Sequence, residues 1–397
     1  MKFINKKLLA IIMLAGSLSA CSSTDDEDES TKVAELPEIT QQFKVDTIWS
    51  ENIDGIDGYF SRLKLTAAYG NLFSANREGD VYAFDIKNGK EQWHTDISAI
   101  KFKTGFFDSK KSAMLSGGVT AGMGKVFVGS ENGELYTLDA KTGDLLWQAE
   151  VKGEIIAAPA VDSGIVVVNT VSGVIKAFDV KDGKEVWSVE QEVPPLSLRG
   201  TSAPVIASGG VLVGGASGDL TVYMLATGQE GWTASLGDAT GSTELDRVVD
   251  IDSAPIVFGD KLYSISSRGS LAAIDLRSGR IIWKRDYSSY RSIALEGNNI
   301  YVTDVKGHVY SIGRNNGLEQ WSQLSLTNRG VTGPVVVGNY IVVGDFEGYL
   351  HWLNKDTGEI VAQHQVDSSA IYATPMVDKG IIYAESRDGD VEAIKTP

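Results

Sequence analysis

Seven pairs of glycines, the two members of each pair ten residues apart, run through this chain of 397 residues. The first members are Gly79, Gly133, Gly173, Gly218, Gly269, Gly307 and Gly348, and the second are Gly89, Gly143, Gly183, Gly228, Gly279, Gly317 and Gly358. Gly389 continues the first series near the C-terminus without a mate. Four residues beyond each second glycine stands Trp93, Trp147, Trp187, Trp232, Trp283 or Trp321, and finally Ala362. Length alone suggests two domains, but self-similarity at a fixed period overrides that prior and marks a repeat architecture.

The segment between paired glycines reads as a strand. Two residues after the first glycine the side chain is always apolar (Val81, Leu135, Ile175, Leu220, Leu271, Val309, Leu350, Val391), and so is the fifth (Phe84, Leu138, Phe178, Tyr223, Ile274, Ile312, Leu353, Ile394). An odd separation sends these side chains to opposite faces of a strand, so each strand is sandwiched between two layers. Four residues after the glycine the side chain is mostly small (Ala83, Thr137, Ala177, Ala273, Ser311, Ala393), which lets the next layer approach. A further apolar run precedes each first glycine, and a shorter one, often opened by Ala-Pro or Gly-Pro, precedes that. Each unit of about 44 residues therefore reads as four short antiparallel strands, a propeller blade. The eighth unit stops at Pro397 before its Trp-bearing strand, whereas "FKVDTIWSENI" places Trp49 in that role at the other end. The expected fold is all-β: an eight-bladed β-propeller of four-stranded antiparallel blades, closed by an N-terminal strand that completes the last blade. Closure removes the free sheet edges that an open solenoid would leave.

"DVKDGKEVW" (Asp179 to Trp187) and its copies have local tasks. Asp85, Asp139, Asp179 and Asp275 end a strand and can bond the backbone of the next turn. The glycine four residues on supplies a positive φ, and Trp49, Trp93, Trp147, Trp187, Trp232, Trp283 and Trp321 are expected to pin blade to blade. Residues spread once per blade around a ring cannot all face one ligand, so the repeat is structural rather than catalytic. The Asp-x-x-x-Gly-x-x-x-Trp pattern resembles the repeat of the quinoprotein dehydrogenases. That resemblance implies an eight-bladed propeller, and it supplies the rival reading of a periplasmic quinoprotein enzyme or ligand-sensing propeller. Those enzymes also use calcium, a catalytic Asp and commonly adjacent cysteines, whereas Cys21 is the sole cysteine here. His94, His308, His351 and His364 have no metal-ligand spacing, "NIDGIDG" (52–58) lacks the calcium-loop pattern, and "GMGK" (122–125) is too short for a phosphate loop. No catalytic residue, metal or cofactor is expected.

The N-terminus is a signal peptide: Lys2, Lys6 and Lys7, an apolar run from Leu8 to Leu14, then small residues. Leu18-Ser19-Ala20-Cys21 resembles the lipobox of bacterial lipoproteins, implying acylation of Cys21, and Ser22 favours the outer membrane over inner-membrane retention. Residues 1–20 are the expected signal peptide, 21–42 an acylated cysteine and acidic flexible tether, and 43–397 the propeller. Asp25 to Glu29 is an unbroken acidic run with too little apolar surface to fold. The net charge of −16 argues against nucleic acid and anionic lipid headgroups as partners.

Function in a propeller is sought where the period breaks. Trp-to-Trp intervals from Trp93 are 54, 40, 45, 51, 38 and 41 residues. The longer ones hold "SAIKFKTGFFDSKKSAMLSGG" (98–118), "EVPPLSLRGTSAP" (192–204) and "SLGDATGSTELDRVVDIDSAP" (235–255). All three link the last strand of one blade to the first of the next, so they crowd one end of the ring. In "PPLSLRG", Pro194 and Pro195 stiffen the approach, and alternating Leu196 and Leu198 with Arg199 suit either docking to a partner or bracing against Asp246, Asp250 or Asp252 of the next insertion. Lipobox, acidic tether, eight repeats, "PPLSLRG" and "DRVVDID" together resemble the propeller lipoproteins of the outer-membrane β-barrel assembly machinery. The resemblance implies a non-enzymatic scaffold on the periplasmic face of the outer membrane. It implies contact with the periplasmic domains of the barrel-forming subunit through Leu196, Leu198, Arg199, Asp250 and Asp252, with unfolded outer-membrane proteins as a second partner class.

Overall fold

The computed structural model describes residues 31–54, 63–102, 111–237, 243 and 248–397. The chain divides into Met1–Val33 and a body, Ala34–Pro397. The body is built of eight four-stranded antiparallel sheets, the blades of an eight-bladed propeller. In blade 1 the strands, named a to d from the channel outward, are Thr66–Ala68, Asn71–Ala75, Asp80–Asp85 and Glu91–Asp96. Seven blades take their strands in sequence order. Blade 8 takes Met376–Asp378, Ile381–Glu385 and Asp390–Lys395 from the C-terminus and Asp46–Asn52 from the N-terminus, in register from Asp46 opposite Lys395 to Asn52 opposite Asp390. The ring closes as the chain ends imply.

All sixteen apolar positions singled out on the c strands are buried. The cores lie in the seams between blades, as two-faced strands require. One seam combines Phe127 and Leu135 of blade 2 with Val166, Val174 and Phe178 of blade 3; another joins Trp49 and Val391 of blade 8 to Leu72 and Phe84 of blade 1.

The tryptophans form a repeated pin. Each sits on strand d opposite a small or β-branched residue of strand c: Trp93 on Ala83, Trp147 on Thr137, Trp187 on Ala177, Trp232 on Val222, Trp283 on Ala273, Trp321 on Ser311 and Trp49 on Ala393. Each indole N–H donates to a backbone carbonyl at the c–d turn of the following blade, over 2.7 Å for Trp187 to Leu225 O and 3.2 Å for Trp49 to Ile86 O. The second glycine of that turn lies under the ring. A Cβ on Gly228 would meet the Trp187 ring at 2.7 Å, and φ there is +70°, so the glycine is required both by its backbone conformation and by the close approach. The strand-ending aspartates bond the turn: Asp179 Oδ1 accepts from Lys181 N at 2.7 Å and Asp275 Oδ1 from Ser278 N at 2.8 Å. Replacing Trp187 by Ala should cost about 3–5 kcal/mol, the usual range for a truncated core aromatic. Trp187→Phe should cost less than half of that. Equilibrium urea unfolding of both variants checks the order.

Blade 7 inverts the pin. Ala362 takes the d position and Trp352 the c position, and the two face each other across the strands. In the following blade strand d comes from the N-terminus, so no c–d turn links it to strand c to receive an outer tryptophan. Trp352 is fully buried and donates to Thr396 Oγ1 at 3.0 Å. The N-terminal segment also departs from expectation. Residues 34–42, placed by sequence in the tether, lie along the outer edge of blade 7, with Gln42 N donating to Val361 O at 2.9 Å.

Candidate partner-docking surface

The inter-blade links and the b–c turns share one face, as antiparallel four-stranded blades dictate. Ile97 N bonds Gly79 O in blade 1, Val151 N bonds Gly133 O in blade 2 and Ile251 N bonds Gly215 O in blade 4. The first long insertion opens with a short helix, Ile97–Phe102; its residues 103–110, and residues 238–242 and 244–247 of the third insertion, including Asp246 and Arg247, lie outside the described residues. So do Cys21 and most of "NIDGIDG".

The "PPLSLRG" loop joins blade 3 to blade 4 and stands proud of this face. Leu196 and Leu198 are exposed, at 41% and 49%. Two leucines on one loop thus leave apolar surface in water, each short of the roughly 1.5–3 kcal/mol that full burial would bring. The loop is held on both flanks. Arg199 adopts a positive φ of 52°, and its guanidinium turns back toward blade 2, where Nε meets Glu154 Oε2 at 2.8 Å and Nη2 meets Glu131 Oε2 at 3.2 Å. Arg77 of the blade 1 turn grips the same Glu131 through Nε at 3.1 Å and Nη2 at 3.2 Å. The result is a charge ladder Arg77–Glu131–Arg199–Glu154 across three blades.

On the other flank, Asp250 Oδ2 accepts from Leu198 N at 2.8 Å. Bracing of Arg199 against Asp250 or Asp252 is corrected, while Asp246 lies outside the described residues: Asp250 binds the loop's backbone, and Arg199 binds Glu154 and Glu131 on the blade 2 side. Nor do Asp250 and Asp252 sit on the surface as contact residues; they are 1% and 8% exposed. Burial pushes the Asp250 carboxyl above the ordinary carboxylate range, partly offset by the Leu198 N–H. Asp252 lies directly beneath Gly200, where a Cβ would fall 1.7 Å from its Oδ1. These carboxylates position the loop. Glu131 and Glu154 were missed by sequence reading, because each sits in an ordinary-looking turn and only the curvature of the ring brings them to Arg199.

Two concavities adjoin the loop. A groove of about 500 Å³ borders Pro194 and Pro195 and is lined by Glu190, Glu192, Asp219, Glu230 and Tyr223. The channel mouth holds a pocket of about 80 Å³, lined by Lys64, Thr201, Asp252, Arg291 and Tyr372 among others, well under the ~300 Å³ of a typical small-molecule site. Among the described residues no group of three or more His, Cys, Asp or Glu is placed to hold a metal ion.

Fold and surface together define a quinoprotein-like eight-bladed propeller whose irregular loops gather on one face. Comparison with known proteins sharpens this. A family model described as outer membrane protein assembly factor BamB matches residues 77–323 and 305–396. The BamB protein of Shewanella oneidensis is 39% identical over 393 residues, spanning 99% of both chains. The crystal structure of BamB from Moraxella catarrhalis superposes with a TM-score of 0.79 at 29% identity, over 89% of this chain and 100% of that one. A quinohemoprotein alcohol dehydrogenase from Comamonas testosteroni shares the fold alone, with a TM-score of 0.67 at 14% identity over 88% of this chain and 76% of that one. The chain belongs to the family of outer membrane protein assembly factor BamB.

Proposed function

We propose that this protein is a non-enzymatic scaffold of outer-membrane protein assembly, held to the periplasmic face of the outer membrane by acylated Cys21. It binds the periplasmic domains of the barrel-forming subunit and assists insertion of outer-membrane proteins. The observation that carries this reading is the pair of exposed leucines on a loop that the protein fixes from both sides. A pre-ordered apolar ridge with a cation beside it loses little conformational entropy on docking, which favours affinity. Leu196 and Leu198 enter the partner's groove. Arg199, 57% exposed at its side chain, offers its remaining donors at the rim, and Asp250 and Asp252 act by holding the loop.

The test is co-purification of the barrel-forming subunit with the full-length lipoprotein. Arg199→Glu places a third carboxylate beside Glu131 and Glu154 and should lower recovery at least tenfold. The melting temperature should fall by no more than about 3 °C, because the pairs it breaks are partly solvent-screened. Recovery equal to wild type would remove Arg199 from the interface, and loss of the melting transition would assign it to internal bracing alone.

A further inference from the structure

Blade 7 is where the ring is least self-sufficient. It lacks the outer tryptophan, and it neighbours blade 8, where strands from the two chain ends pair. The segment 34–45 crosses it. At one end Ala34 N donates to Thr327 O at 2.9 Å, and Ile39 packs on the core of the seam between blades 6 and 7. At the other end Phe43 lies 5.0 Å from the Tyr340 ring and 6.4 Å from the Trp352 ring, and with Val45 it packs on the core of the seam between blades 7 and 8. Between them Gln41 imitates a strand: its side-chain Nε2 donates to Gln363 O and its Oε1 accepts from Gln363 N, both at 2.9 Å.

Beneath the segment runs a buried polar relay. Arg329 and Asp345 are 1% and 0% exposed, and His351 is fully buried. Asp345 Oδ2 accepts from Arg329 Nε and from His351 Nε2, each at 2.9 Å. With its Nε2 proton so used, His351 Nδ1 accepts from Gln363 Nε2 at 3.3 Å. Both ends of the relay reach the segment's carbonyls: Arg329 Nη1 donates to Ala34 O at 3.0 Å, and Gln363 Nε2 to Pro37 O at 3.2 Å. A buried arginine and histidine are costly to desolvate and need such a complete set of partners. Among the described residues no other arginine or histidine is buried to this degree.

We infer that segment 34–45 is a strain-relief strap. It roots the N-terminal tether at the link between blades 6 and 7, so that tension on the chain must peel twelve residues off blade 7 before it reaches Asp46–Asn52, the strand that closes the ring. The strap also covers the outer edge of blade 7, which would otherwise be open to pairing with another chain. That the tension comes from a lipid anchor rests on the acylation proposed above; the strap's hold on blade 7 does not.

Two measurements on the full mature chain in detergent test it. In hydrogen exchange, the amides of Ala34 and Gln42 should be protected in the wild type. Gln41→Ala combined with Gln363→Ala should speed them at least tenfold while residues 46–52 stay protected. Arg329→Gln should act in the same direction at Ala34, and the glutamine pair keeps the test open should that variant fail to fold. Pulling between Ser22 and the exposed Gln229 should show an early step of at most about 40 Å, the fully extended length of twelve residues, before the ring ruptures. Strap amides exchanging at free-chain rates, variants indistinguishable from wild type, loss of protection at 46–52 together with the strap, or rupture with no earlier step would each overturn the inference. Neither readout needs the partner, so the strap and the scaffold reading fail separately.

Discussion

Deleting residues 46–52 should leave a protein with no cooperative melting transition, recovered mainly as aggregate. The strand Asp46–Asn52 is the whole outer strand of blade 8. Its loss opens the edge of Asp390–Lys395 to solvent and removes Trp49, whose ring packs on Gly89 of blade 1 and whose N–H bonds Ile86 O at 3.2 Å. One missing strand thus unpins two blades at once. Ring contacts are between neighbours, so an unclosed seam exposes two apolar faces rather than one. Losing a core tryptophan alone costs about 3–5 kcal/mol, and a typical domain has only ~5–15 kcal/mol in all. A decisive companion is a permuted chain. Residues 46–53 moved to follow Lys395 through a copy of the turn 180–184 should restore a transition within a few degrees of wild type, because Lys395 and Asp46 already face each other. Circular dichroism melts of the two proteins check this. A cooperative transition in the deletion, or none in the permutant, would refute closure by this strand.

That prediction rests on features open to sequence reading. Period-two apolar positions, turn glycines and a tryptophan per blade are local signals, and the complementary chain ends make closure arithmetic. Where reading fell short, the cause is long-range. Trp352 stands in a position that the pattern reserves for small residues, and its exchange with Ala362 has meaning only once both strands are paired. Residues 34–42 are polar and proline-containing, so they read as tether; Gln41 docks by using its side-chain amide as a peptide group, which no periodicity betrays. The "PPLSLRG" loop was legible as an irregularity, with docking and internal bracing both open, but the grip upon it was not. Glu154 and Glu131 lie 45 and 68 residues from Arg199, and Asp250 reads as an exposed acid although it is buried under the loop. Burial of a charge is a property of the assembled ring.

The sharpest probe of that grip is Gly200→Ala. One methyl group there would lie 1.7 Å from Asp252 Oδ1 and 2.0 Å from its Cγ, far inside contact distance, and Asp252 is too buried to swing into water. The loop must therefore lift. Lifting it breaks the 2.8 Å bond from Leu198 N to Asp250 and leaves a buried carboxylate with its desolvation uncompensated, at a cost of ~1–3 kcal/mol. It also shifts Leu196, Leu198 and Arg199 together, so binding of the barrel-forming subunit's periplasmic domains should weaken at least thirtyfold, about 2 kcal/mol. The blades' cores are untouched, so the melting temperature should drop by only a few degrees. The double variant Gly200→Ala with Asp252→Gly removes the obstruction and should recover much of the binding, the signature of two residues coupled by direct contact. Calorimetric titration of the four proteins closes the cycle. Additive losses would mean that Asp252 does not hold the loop through Gly200, and unaltered binding by Gly200→Ala would mean that the loop's placement is not what the partner reads.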